Sequence, residues 1–147
     1  LASYADMDDR IASGEVRQEP IPKRNTKLVC ENYRADEIKG LIGACEMFIG
    51  CRMHSSIASI SQYVPTIVLT YGTKFEGIIG GLIGQQSQIV SVSADYETVL
   101  NQLKSKIMST WEERASIKST LQNRLQKVVG SARSTIILIR QFLENGV

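Results

Sequence analysis

The chain contains one histidine, His54, set two places after Arg52 and directly before Ser55 and Ser56. An imidazole exchanges protons close to neutrality, which makes His54 the candidate acid or base. Further along, Tyr71-Gly72-Thr73-Lys74 brings a second cation into a short glycine-containing turn. Arg52, Lys74 and the N–H groups of a helix opening near Ser55 and Ser56 suit one kind of guest, a carboxylate or a phosphate. Simpler roles fit the same residues: a serine at a helix start caps, and Arg52 also suits an ion pair with Glu46 or Glu76.

These side chains can meet only if the chain around them alternates strand and helix. Met47 to Cys51 reads as a buried strand, Met53 to Tyr63 as a helix burying Ile57, Ala58 and Ile60, and Thr66 to Thr70 as a β-branched strand opened by Pro65. A strand is expected before them over Lys27 to Glu31, followed by a helix over Ala35 to Cys45 with Ile38, Leu41 and Ile42 on its inner face. After them come a glycine-rich helix from Phe75 to Ile83 and a fourth strand from Ile89 to Val92. Strands separated by helical segments imply crossover connections and a parallel sheet. In such a sheet ligands bind beyond the carboxyl ends of the strands. Both cationic turns fall there, and neighbouring strands lie about 4.8 Å apart.

The predicted fold is therefore α/β: a Rossmann-like parallel sheet flanked by helices, with a helical C-terminal tail. One domain is expected over 1–147, with a helix and polar connector over 1–26, the sheet core over 27–94 and helices over 95–147. In the tail Val99, Leu103, Ile107 and Trp111, then Leu121, Leu125, Val128, Ala132, Ile139 and Leu143, form one apolar stripe, with Gly130 a candidate break. Thr135 to Leu143 is apolar nearly all round, which predicts packing on another domain or self-association. A strand over Thr135 to Ile139 is the weaker alternative.

Composition narrows the function classes. The 147 residues are 43% hydrophobic and 22% charged, as in an ordinary globular domain. A net charge of +2 with no basic cluster facing aromatic residues does not favour nucleic acid. No apolar stretch approaches the roughly 20 residues of a membrane span. Cys30, Cys45 and Cys51 are odd in number and lack C-x-x-C spacing, so they are expected as reduced core residues of a cytoplasmic protein, without zinc. Asp6, Asp8 and Asp9 lack the pattern of a calcium loop and read as a solvated face. Gly77, Gly80, Gly81 and Gly84 lack phosphate-loop order and suggest close packing. No Ser-His-Asp order recommends a hydrolase.

The runs Arg34 to Ile42, Phe48-Ile49-Gly50-Cys51-Arg52-Met53-His54-Ser55-Ser56-Ile57-Ala58, Val64 to Ile67 and Tyr71 to Ile78 resemble the polysaccharide pyruvyl transferase family. The resemblance spans about residues 28 to 84, and its most specific parts are I-G-x-R-x-H and P-x-x-x-x-x-Y-x-x-K-x-x-G-I. It implies the C-terminal half of a glycosyltransferase-B-like enzyme that moves pyruvate from phosphoenolpyruvate to sugar hydroxyls as a ketal, in exopolysaccharide or glycan synthesis. It also implies an N-terminal domain that this chain lacks, carrying an arginine of the site, and a donor site lined by His54 and Lys74. In that scheme His54 transfers the proton, while Arg52, Lys74, Ser55, Ser56 and Tyr71 bind substrate. No metal or cofactor is required.

Two rivals share parts of this pattern. A nucleotide-sugar glycosyltransferase would use the same sheet edge, with an acidic residue for the donor ribose, and Glu76 is the nearby acid. A non-catalytic interaction domain would bind through the apolar tail from Thr135.

Overall fold

The structure is a computed structural model, which describes residues 9–16, 25–73, 75–92 and 95–144. It divides into two compact units, Leu1–Arg34 and Ala35–Val147. The first contains helix α1, Asp9–Val16. The strand expected over Lys27 to Glu31 is not formed: this stretch is irregular, with Val29 and Cys30 exposed. Strand conformation gains its hydrogen bonds only from a neighbour, and among the described residues no strand pairs with this segment. The nearby Tyr33 hydroxyl donates to Glu31 Oε2 at 3.0 Å.

The second unit is built on a parallel sheet of three strands, in the order β1 (Phe48–Gly50), β2 (Thr66–Thr70), β3 (Ile89–Ser91). Helix α2 is Ala35–Gly43, α3 is Met53–Ile60, a π-helix spans Glu76–Leu82, and α4 runs unbroken over Tyr96–Glu144. In β2, Ile67 and Val68 are fully buried and Thr66 and Thr70 nearly so, because helices cover both faces of a central parallel strand. Ile60, Val68, Phe75, Ile79, Ile83, Ile117 and Leu121 form the core cluster.

A left-handed residue closes α3. Tyr63 has φ 61; its N–H bonds to Ile60 O at 2.8 Å and the N–H of Val64 to Ser59 O at 3.2 Å, the pairing of a Schellman cap. Behind the cap, the Thr66 hydroxyl donates to Val64 O at 2.8 Å, so Ser59 Oγ donates across 2.8 Å to Thr66 Oγ1. Both hydroxyls are thus satisfied inside the core.

Several packing expectations change. Of the inner face expected for α2, only Ile42 is buried; Ile38 and Leu41 are exposed, since α2 packs on α3 alone among the elements it substantially contacts. On α4 the buried positions are Thr110, Ile117 and Leu121, whereas Trp111 turns outward. The reason is polar: Thr110 Oγ1 donates to the Gln88 Oε1 of the turn before β3 at 2.7 Å, which draws that face of the helix onto the sheet. Gly130 does not interrupt α4. A single exposed glycine costs a helix about 1 kcal/mol relative to alanine, too little to break one of 49 residues. Residues Thr135 to Ile139 are helical and not a strand. The three cysteines are free but exposed, because each sits at or outside an element end where no core surface faces it.

In the glycine-rich stretch, close packing holds at two positions. A Cβ on Gly80 would overlap the Gln86 side chain, and one on Gly84, whose φ is +75, would meet the Arg124 guanidinium at 2.9 Å. Gly77 faces open space.

Candidate active site

β1 ends at Gly50 and α3 begins at Met53, so the chain must reverse within Cys51 and Arg52. Gly50 permits this: a Cβ there would collide with Ser56 Oγ and meet the Phe48 ring at 2.9 Å. Arg52 occupies the cap position in extended backbone (φ −113, ψ 138), and no side chain caps the helix start. Its carbonyl oxygen is the anchor of the turn. Ser55 Oγ and Ser56 Oγ each donate to it at 2.9 Å, and the Ser56 N–H does so at 3.1 Å.

This anchoring redefines the two serines. Each hydroxyl has one proton, and both protons are committed to Arg52 O. Ser56 is also fully buried. Neither hydroxyl is arranged to donate to an anion; both hold the turn, leaving first-turn backbone N–H groups as the donors of this helix end.

The second turn is held by Thr70, the last residue of β2. Its hydroxyl donates to Gly72 O at 2.7 Å and accepts from the Gly72 N–H at 3.1 Å. Because β1 and β2 are paired in parallel, with Gly50 opposite Val68, the two turns emerge at the same rim. They enclose an open cleft of about 470 Å³ lined by Arg52, Met53 and His54 from one side and Tyr71, Thr73 and Phe75 from the other. His54 and Arg52 are exposed, Tyr71 is highly so, and Phe75 is buried.

Arg52, His54 and Tyr71 are therefore brought together, while Ser55 and Ser56 lie behind them as supports. Lys74 lies outside the described residues. Thr70 and Phe75 escaped the reading of the sequence, although a threonine at the carboxyl end of a strand, one residue before a turn, is the available signal for the first. Among the described residues no group of three His, Cys, Asp or Glu side chains could hold a metal ion. No helix among them is long and apolar enough to cross a membrane.

The family model described as polysaccharide pyruvyl transferase matches residues 3–73. Over this stretch the chain is similar to that family. The matched span includes the whole turn from Gly50 to Ser56 and the first three residues of the Tyr71 turn. It starts earlier than the resemblance read from about residue 28, and it stops before Lys74. A polysaccharide pyruvyl transferase is a transferase with a sugar or glycan acceptor. No solved structure matches the chain.

Proposed function

We propose that the chain takes part in moving the pyruvyl group of phosphoenolpyruvate onto sugar hydroxyls as a ketal, and that the cleft between the two turns holds the donor. The observation that carries this reading is the convergence of Arg52 and His54 with Tyr71 and Thr73 on one cleft at the carboxyl rim of a parallel sheet. The family match supports the transfer reaction and the glycan acceptor.

The donor carries a carboxylate and a phosphate, and both call for positive charge and N–H donors. Arg52 and Lys74 supply positive charge, and the first-turn N–H groups of α3 supply donors at the positive end of a helix dipole. His54 delivers a proton to the methylene carbon of the enol, which leaves a cationic centre at the adjacent carbon. A sugar hydroxyl attacks that centre and loses its proton. Phosphate departs with its bonding pair, and a second hydroxyl of the same sugar attacks the carbon it leaves and closes the ketal, its proton going to the departing phosphate. Tyr71, exposed in the cleft wall, is assigned to substrate binding. Phosphoenolpyruvate and a glycan acceptor, incubated with the full-length protein, release inorganic phosphate with ketal formation; release of nucleotide from a sugar nucleotide instead supports the glycosyltransferase alternative.

The glycosyltransferase-B-like architecture and a second domain completing the site belong to the same proposal. So does a cytoplasmic setting, which the free, exposed thiols support. The distal end of α4 is assigned to a second copy of the chain. Its inward stripe, buried at Ile117 and Leu121, continues through Leu125, Val128 and Ala132 to exposed Ile136, Ile139 and Leu143, so the surface that packs on the sheet extends past it.

A further inference from the structure

The sheet has another open cavity, of about 320 Å³, where the loops that lead into β1 and β2 meet the middle of α4. It lies at the amino ends of these strands, the opposite rim from the His54 cleft. Glu46 comes from the first loop, Tyr63 and Pro65 from the second, and Arg114 and Lys118 from α4. A volume of this size falls at the lower end of the range of small-ligand sites.

Its wall carries two cations and one carboxylate. The Arg114 guanidinium lies 4.4 Å from the Trp111 ring centroid, and its Nη1 donates to Trp111 O at 2.6 Å. Held this way, the guanidinium keeps its other N–H groups in a preset fork that matches a carboxylate. Lys118 follows one helical turn later, so two like charges share one helix face, a spacing that disfavours a bare helix. Among the described residues neither cation is in an ion pair with a carboxylate. With Glu46 in the same cavity, the charges of Arg114, Lys118 and Glu46 leave a single positive excess, which suits a monoanion better than a dianion, and the Glu46 carboxylate is an acceptor for hydroxyl groups. Tyr63 adopts the left-handed backbone that favours glycine, and this places an aromatic side chain in the cavity wall where glycine would leave none.

We propose that this amino-rim cavity binds a sugar acid. The ligand carboxylate engages Arg114 and Lys118, its hydroxyls donate to Glu46, and its ring packs on Tyr63 and Pro65. The carboxylate rests on the cavity's own residues; the saccharide rests on the glycan-directed reading above. A uronic acid and a sugar carrying a pyruvyl ketal present the same chemistry, so an acidic substrate polymer and the reaction product are both sources.

The test is titration of the isotope-labelled chain with glucuronate, a pyruvyl-ketal galactoside, glucose or inorganic phosphate, followed by amide resonances. Saturable shifts at Glu46, Tyr63 and Lys118 are expected with either acid and not with glucose or phosphate, and the tighter acid identifies the source. Lys118→Gln weakens binding about tenfold or more, the scale of one charge-assisted hydrogen bond. Arg114→Gln, a second variant that leaves Lys118 in place, does the same. His54→Ala leaves this binding intact. Absent shifts, equal response to glucose or phosphate, or full affinity in both cation variants overturns the proposal. Transfer activity is read at the opposite rim: its absence with sugar-acid binding retained counts against the transferase reading alone, and its presence without such binding counts against this site alone.

Discussion

Ser56 Oγ occupies the space that a β-carbon on Gly50 would need, so the last residue of β1 and the first turn of α3 interlock by direct contact. The same hydroxyl donates to Arg52 O at 2.9 Å. The position of Arg52 and His54 at the rim is thereby tied to a glycine two residues earlier. Gly50→Ala forces this contact apart and destabilises the chain by about 1–3 kcal/mol, the usual scale of overpacking. Ser56→Ala is milder alone, and combined with Gly50→Ala it recovers part of the loss. Urea denaturation of both single variants and the double variant measures that coupling.

The long helix depends on one buried polar contact with the strand layer. Thr110→Val keeps the shape of the side chain but leaves the buried Gln88 Oε1 without its partner, at a cost of about 1–3 kcal/mol. Chemical denaturation checks the loss. Transfer activity measured well below the melting temperature stays near normal, because this contact does not touch the cleft.

Asp95 sets the start of α4. Its Oδ1 accepts the Thr98 N–H at 3.0 Å, and hydrogen bonds from the Thr98 side chain and backbone hold its carboxyl below the ordinary value of 3.8. A depressed folded-state pKa means a stabilisation present above the unfolded value and lost as the pH falls through the folded one. Asp95→Ala lowers the melting temperature at neutral pH. The gap between variant and parent narrows below about pH 4, which thermal melts across an acid series record.

Exposed Ile136 and Ile139 continue the inward face of α4 beyond the sheet. If a second copy covers them, Ile136→Lys with Ile139→Lys shifts native mass from dimer to monomer while the circular dichroism stays helical. A parent chain that is monomeric at the same concentration contradicts that assignment.

The sheet was legible where burial writes a pattern. Thr66 to Thr70 is a near-continuous β-branched run because β2 is covered on both faces, and the two rim turns follow from that strand and its neighbour. Lys27 to Glu31 has no partner strand among those described, and pairing is not encoded within five residues. The apolarity of Trp111 predicts an inward side chain, yet it is exposed. The contact that instead turns Thr110 inward is with a residue 22 positions away, beyond any local period. In the His54 turn the types of Ser55 and Ser56 are visible in the sequence, whereas their common acceptor, Arg52 O, is a backbone atom that no side-chain pattern reveals.

Whether the rim cleft does the chemistry is tested most directly by His54→Ala in the full-length protein supplied with phosphoenolpyruvate and a glycan acceptor. Ketal formation and phosphate release fall together by about a hundredfold or more, the scale of a lost general acid or base, with the fold retained. Near-normal turnover in this variant contradicts the account, because the cleft lined by His54 would then work without its imidazole.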